Sequence, residues 1–118
     1  MILLSRAVRV YVAIEPVTMR RSFDGLSAEV RSVLALDPLS GHVFAFINKR
    51  RNQAKLLIWT RGGFTIVHKR LEVGTFTFGE RLRSDAKSVE LDVHELSMLL
   101  EGIDWRMPAR TWQPAMVV

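Results

Sequence analysis

Val43-Phe44-Ala45-Phe46-Ile47, Asn48-Lys49-Arg50-Arg51-Asn52-Gln53 and Lys55-Leu56-Leu57-Ile58-Trp59-Thr60 decide how this chain folds. The first run is apolar at every position, so neither of its faces suits water, and it belongs in the middle of a sheet. The second has no apolar residue and reads as a hairpin loop, which makes the third the returning strand. Arg61-Gly62-Gly63 is then a tight turn, because glycine accepts the positive φ that short hairpins demand. Phe64 to Leu71 supplies a third strand and completes an antiparallel meander. Thr75 to Phe78, after Gly74, is expected to add a short fourth strand, and Trp59 is expected in the core.

Upstream, Val8, Val10 and Val12 alternate with Arg9, Tyr11 and Ala13, the period of a half-exposed strand that Glu15-Pro16 ends. Phe23, Leu26, Val30, Val33 and Leu34 then recur at helical spacing. Ser22 is placed to cap this helix, Asp24 suits its first turn, and Asp37-Pro38 closes it, since a residue before proline is pushed out of helical geometry. Downstream, Asp92-Val93-His94-Glu95 has capping-box spacing. Leu96, Leu99, Leu100 and Ile103 form the apolar face of the second helix, and Gly102 stops it. From Asp104 to Pro114 the prolines forbid a further helix. The expected fold is α+β, a single domain over residues 1–118: strand, helix, antiparallel β-meander, helix, extended C-terminal tail.

A length of 118 residues, 48% of them hydrophobic and 25% charged, suits one globular domain that folds without a metal or disulfide staple. Cysteine is absent, which removes disulfides, thiolate chemistry and Cys-containing zinc sites, and fits a reducing compartment. Met1-Ile2-Leu3-Leu4 is broken at once by Ser5 and Arg6, short of an export signal, and no apolar run approaches a bilayer span. The expectation is a soluble, cytoplasmic protein with no membrane partner.

The net charge of +5 is unevenly placed. Pro38 to Leu71 holds seven bases (Lys49, Arg50, Arg51, Lys55, Arg61, Lys69, Arg70) and no acid. Asp85 to Asp104 holds six acids against Lys87 alone. A ribbon with a basic tip suits a DNA groove or a pair of phosphate backbones, and arginine also reads guanine edges. The plainer alternative is a solvated surface that keeps the domain soluble. In the tail, Trp105 and Trp112 flank Arg106 and Arg110. They suit either anchoring of the tail on the core or docking of a protein partner, for which Trp and Arg are common anchors.

Catalytic chemistry finds no constellation. His42, His68 and His94 have neither of the spacings, His-x-His or His-x3-His, that put two ligands on one metal. Nucleophile elbows, Walker loops and dinucleotide fingerprints are absent, and Asp24, Asp92 and Glu95 are explained by helix capping. No catalytic residue, metal site or cofactor is assigned, and the expectation is a protein that is not an enzyme.

Several ordered motifs do match a known pattern. Arg9-Val10-Tyr11, Met19-Arg20-Arg21-Ser22-Phe23-Asp24-Gly25-Leu26 and Asp37-Pro38-Leu39-Ser40-Gly41-His42-Val43-Phe44 resemble the TnpB accessory proteins of the insertion sequence 66 family. The likeness continues through Lys55-Leu56-Leu57-Ile58-Trp59, Gly63-Phe64, Lys69-Arg70-Leu71-Glu72 and Leu99-Leu100-Glu101-Gly102-Ile103-Asp104-Trp105. This is not the RNA-guided nuclease of the same name. Thr18 stands where the family usually has Asp before Met-Arg, and Thr60 where it usually has an acid after the Trp. The resemblance implies an accessory of bacterial transposition that works beside a separately encoded, larger transposase and the element's other accessory protein. Joined to the charge pattern, it leads to an expectation of DNA contact, at the element ends, through the basic hairpin. The alternative is a non-enzymatic adaptor that binds the transposase through the Trp-containing tail.

Overall fold

The computed structural model describes residues 7–77 and 86–102. Its elements run β1 (Val10–Ala13), α1 (Phe23–Ser32), β2 (Val43–Ile47), β3 (Gln53–Thr60), β4 (Gly63–Arg70), β5 (Ser88–Leu91) and α2 (Val93–Leu100). The five strands form one sheet in the order β4-β3-β2-β1-β5, and the fold is α+β. β2 is buried at all five positions, as its unbroken apolar run requires. It pairs antiparallel with β3 and parallel with β1, and α1 is the crossover that a parallel connection needs.

The alternation of β2 divides the core between two faces. Phe44 and Phe46 join Leu57 of β3 and Leu26 and Val30 of α1 on one face. Val43, Ala45 and Ile47 join Leu56 and Ile58 of β3, Phe76, and Leu96 and Leu99 of α2 on the other. A sheet covered on both sides in this way needs apolar residues at successive strand positions, and β2 supplies them.

The expected meander forms with shifted bounds: Gln53, expected in the loop, and Ala54 begin β3, Gly63, expected in the turn, begins β4, and β4 ends at Arg70 rather than Leu71. The β3–β4 turn is the two-residue loop Arg61-Gly62 between the paired Thr60 and Gly63, and both loop residues have positive φ (21° and 80°). The second helix carries a complete capping box. Asp92 Oδ1 accepts the Glu95 N–H at 2.7 Å, and Glu95 Oε1 accepts the Asp92 N–H at 3.1 Å. Gly102 at φ 76° follows the helix end.

Other expectations need correction. β1 is not half-exposed, because it lies between β2 and β5 with both faces covered, and Tyr11 stacks on Phe44 at a centroid distance of 5.7 Å. Ser22 occupies the cap position of α1, but its side chain makes no capping bond; its carbonyl accepts the Leu26 N–H at 2.8 Å. Phe23 begins the helix but is 45% exposed, because Leu26 and Val30 carry the burial instead. α1 ends before Asp37-Pro38, at Ser32, where the chain reverses through Ala35 at φ 55° and the Leu36 N–H reaches the Val30 carbonyl. Thr75-Phe76-Thr77 forms no strand. Gly74 at φ 81° turns the chain out of β4, and Phe76 is fully buried with its N–H on the Arg51 carbonyl at 2.7 Å. Trp59 is only half-buried, edge-on to Phe64 at 5.0 Å. β5 has no counterpart in the sequence reading. Phe78, Ile103 and the tail with Trp105, Arg106, Arg110 and Trp112 lie outside the described residues.

Candidate nucleic-acid interface

The β2–β3 connection is a built turn. Asn48 Oδ1 accepts the N–H groups of Asn52 and Gln53, both at 3.0 Å, while Asn48 Nδ2 donates to Asn52 Oδ1 at 2.8 Å. The Arg51 N–H closes on the Asn48 carbonyl at 3.0 Å, with Arg51 at φ 60°. Asparagine side chains bonded to nearby backbone hold such turns in one shape. Lys49, Arg50 and Arg51 stand exposed on this turn.

Neighbouring segments bring further cations to the same end of the sheet. The Val17 N–H donates to the Ile47 carbonyl at 3.0 Å and pins the 16–20 segment beside β2. The Arg20 N–H is held by Thr18 Oγ1 at 3.3 Å. Register sets Lys69 opposite Ala54 and Arg70 opposite Gln53, and the Leu71 N–H reaches the Asn52 carbonyl at 2.7 Å.

Paired residues share a face, so Arg70, His68, Lys55 and Gln53 lie on the α1 side and Lys69 on the α2 side. The seven bases from the sequence therefore differ in situation. Lys49, Arg50, Arg51 and Lys69 are exposed together at the tip end. Arg70 is there too, but its guanidinium pairs with Glu72 at 2.8 Å. Lys55 is turned to α1, with Nζ donating to the Arg21 carbonyl at 2.8 Å. Arg61 occupies the opposite turn, about 23 Å away along an eight-residue strand. The structure brings six of the seven to one end and leaves Arg61 at the other.

A cleft of about 720 Å³ opens between the 16–20 segment and the turn, and none of its lining residues is acidic. Arg20, Lys49 and Arg50 line it, with Asn48 and Gln53 as polar walls. A smaller cleft of about 320 Å³ beside α2 has the opposite character, with Glu90, Asp92 and Glu95 against Arg9, which is ion-paired to Glu90. Strand order puts β4 and β5 at opposite edges, so Glu90 of β5 is held away from the basic ribbon, although the end of α2 returns to that ribbon, with Gly102 beside Leu71. A field of this kind orients an approaching polyanion.

His68 faces Lys55 across the ladder and has Arg70 two residues on, and its Nε2 lies 2.9 Å from Gln53 Oε1. Partial burial, then Lys55 and Arg70, push its pKa below the ordinary histidine value. His42 is structural, with Nδ1 accepting the Arg9 N–H at 3.0 Å. Among the described residues no group of three or more His, Asp or Glu could hold a metal ion, and no helix is long and apolar enough to cross a membrane.

Comparison with known proteins adds an identity to this geometry. The family described as IS66 Orf2 like protein matches residues 8–110. The chain belongs to that family. It is similar to the uncharacterized protein y4hO of Sinorhizobium fredii (strain NBRC 101917 / NGR234), 37% identical over 111 residues that cover 93% of each chain. It is also similar to the uncharacterized protein y4jC of the same organism, 37% identical over 101 residues, 86% of this chain and 84% of the relative. No solved structure matches it. As an IS66 Orf2-like protein it takes an accessory role in insertion-sequence transposition.

Within this IS66 Orf2-like fold, Arg20 is the cation that charge counting missed. Its signal was local: Met19-Arg20-Arg21 just before a helix start, outside the acid-free stretch of the meander. Arg21, beside it, is committed to an ion pair with Glu29.

Proposed function

We propose that this transposition accessory contacts DNA, at the element ends, through the basic end of its sheet. The observation that carries the reading is the convergence of Arg20 with Lys49 and Arg50 around one cleft without a carboxylate. Arginine and lysine groups of this kind contact phosphates and fix a protein's register on DNA without reading sequence. The rigidity of the Asn48 turn favours it further, because little ordering is left to be done on binding. The role of the family suggests that the separately encoded transposase is a second partner.

The test is a salt titration of binding to a duplex carrying the element's terminal repeat, with the protein alone and with its transposase. Binding by the protein alone is expected, and K49E/R50E/R51E should weaken it and flatten the log-log salt slope by about 0.9 for each phosphate contact removed. An unchanged affinity and slope in the triple variant would overturn the proposal. Binding that appears only with the transposase would favour the adaptor reading, in which Trp105, Arg106, Arg110 and Trp112 dock the larger protein.

A further inference from the structure

The cleft between the 16–20 segment and the β2–β3 turn is more than a charged surface. Its lining is mixed: Lys49 and Arg50 come from the turn, Arg20 from the 16–20 segment, and Pro16 and Met19 of that segment add apolar groups above the buried Val17. A continuous duplex presents phosphates to a protein surface and, apart from thymine methyl groups in the major groove, keeps the flat faces of its bases stacked away from aliphatic groups. A nucleotide outside a duplex has both parts, an anion at one end and a flat, weakly polar base at the other.

Size and rigidity agree with that kind of guest. A volume of about 720 Å³ falls in the ordinary range of small-molecule pockets. Both walls are fixed before binding, one by the Val17–Ile47 bond and the Thr18 hydroxyl, the other by the Asn48 amide. Among the described residues, the charged groups of Arg20, Lys49 and Arg50 have no carboxylate partner. A phosphate there meets donors that need not first leave an acid.

We propose that this cleft seats one unpaired nucleotide at a DNA end, with its phosphate on Arg20, Lys49 and Arg50 and its base against Pro16 and Met19. The inference rests on the DNA-contact reading and deepens it, naming a frayed or single-stranded end rather than uniform duplex as the preferred ligand.

Fluorescence anisotropy with two DNAs tests it: a blunt duplex, and the same duplex with a three-nucleotide single-stranded overhang. Wild-type protein should favour the overhang roughly fivefold, the gain from burying about 40 Å² of apolar surface between one base and the aliphatic groups. Thr18→Asp puts a carboxylate into the cleft while keeping an oxygen acceptor for the Arg20 N–H, so the fold should survive and the preference should vanish. An unchanged urea midpoint checks the fold of that variant. Arg61→Glu, at the far end of the sheet, should leave the preference intact.

Equal affinity for both DNAs, or a preference that survives in Thr18→Asp, overturns the nucleotide site and leaves DNA contact standing. Absence of binding to either DNA overturns both. A deoxynucleoside monophosphate should compete for the overhang DNA better than inorganic phosphate at equal concentration. Equal competition reduces the cleft to a plain anion site and likewise overturns the proposal.

Discussion

Lys55 Nζ donates to the carbonyl oxygen of Arg21 at 2.8 Å, joining β3 to the residue just before the cap of α1 across 34 positions of sequence. The carbonyl is one that the first turn of the helix does not use, and the bond holds the 16–21 segment against the sheet. By sequence Lys55 is one of seven equivalent bases. In the fold its ammonium has a structural partner, and that separates its role from those of Lys49 and Arg50.

Lys55→Met should therefore cost stability more than DNA affinity. Loss of one charge-assisted bond to a backbone acceptor is worth about 1–3 kcal/mol. Urea denaturation should show a lower midpoint, while the salt slope of duplex binding should change less than in Lys49→Met. A slope change as large as that of Lys49→Met would place the Lys55 ammonium on a phosphate.

Position along the meander yields a second contrast. Arg61 and Lys69 carry the same charge but lie at opposite ends of the β3–β4 ribbon. Lys69→Glu should weaken DNA binding several-fold at low salt, and Arg61→Glu should leave it nearly unchanged, since charges about 23 Å apart are screened from one another at ordinary ionic strength. Gel-shift titrations of the two variants in parallel measure the difference.

Much of this arrangement was written locally in the chain. The unbroken apolar run of β2, the tight turn after Thr60 and the capping box at Asp92 each depend on neighbours a few residues apart, and each formed where its residues predict, the turn one residue shorter than expected because Gly63 joins β4. β5 was the converse. Ser88-Val89-Glu90-Leu91 does alternate, with Val89 and Leu91 buried, but four residues inside an acidic stretch make a weak signal. Its partner, β1, is more than 70 residues away, and only that pairing makes it a strand. The same distance effect misplaced β1, whose polar alternation marks a surface only when no helix covers it. For the site, the cations were legible but their grouping was not. Arg20 joins the tip through a Val17–Ile47 backbone bond that no residue type announces.

Stability should also respond to pH through His68. Its folded pKa lies below the ordinary value of 6.5, because partial burial and the adjacent Lys55 and Arg70 disfavour the charged ring. The unfolded chain then binds more protons in this range, so its stabilising share is fully present above about pH 6.5 and is lost as pH falls through the folded value. Urea midpoints should fall between about pH 7.5 and pH 5.5 in the wild type, and less in His68→Gln. An equal fall in both proteins would assign the effect to other groups.

The core and the helix cap differ in what they should cost to remove. Leu57 is fully buried under α1 beside Phe44 and Phe46, so Leu57→Ala removes packing that the surrounding sheet cannot easily close over. The expected loss is about 2–5 kcal/mol, a large fraction of the stability of a domain this size. Asp92→Ala removes a cap at the start of α2 and should cost about 1 kcal/mol, because water can replace the lost acceptor at an exposed helix end. Both follow from urea titration with a shared m value. A larger loss from Asp92→Ala than from Leu57→Ala would mean that α2, and not the α1 face, holds most of the folding energy.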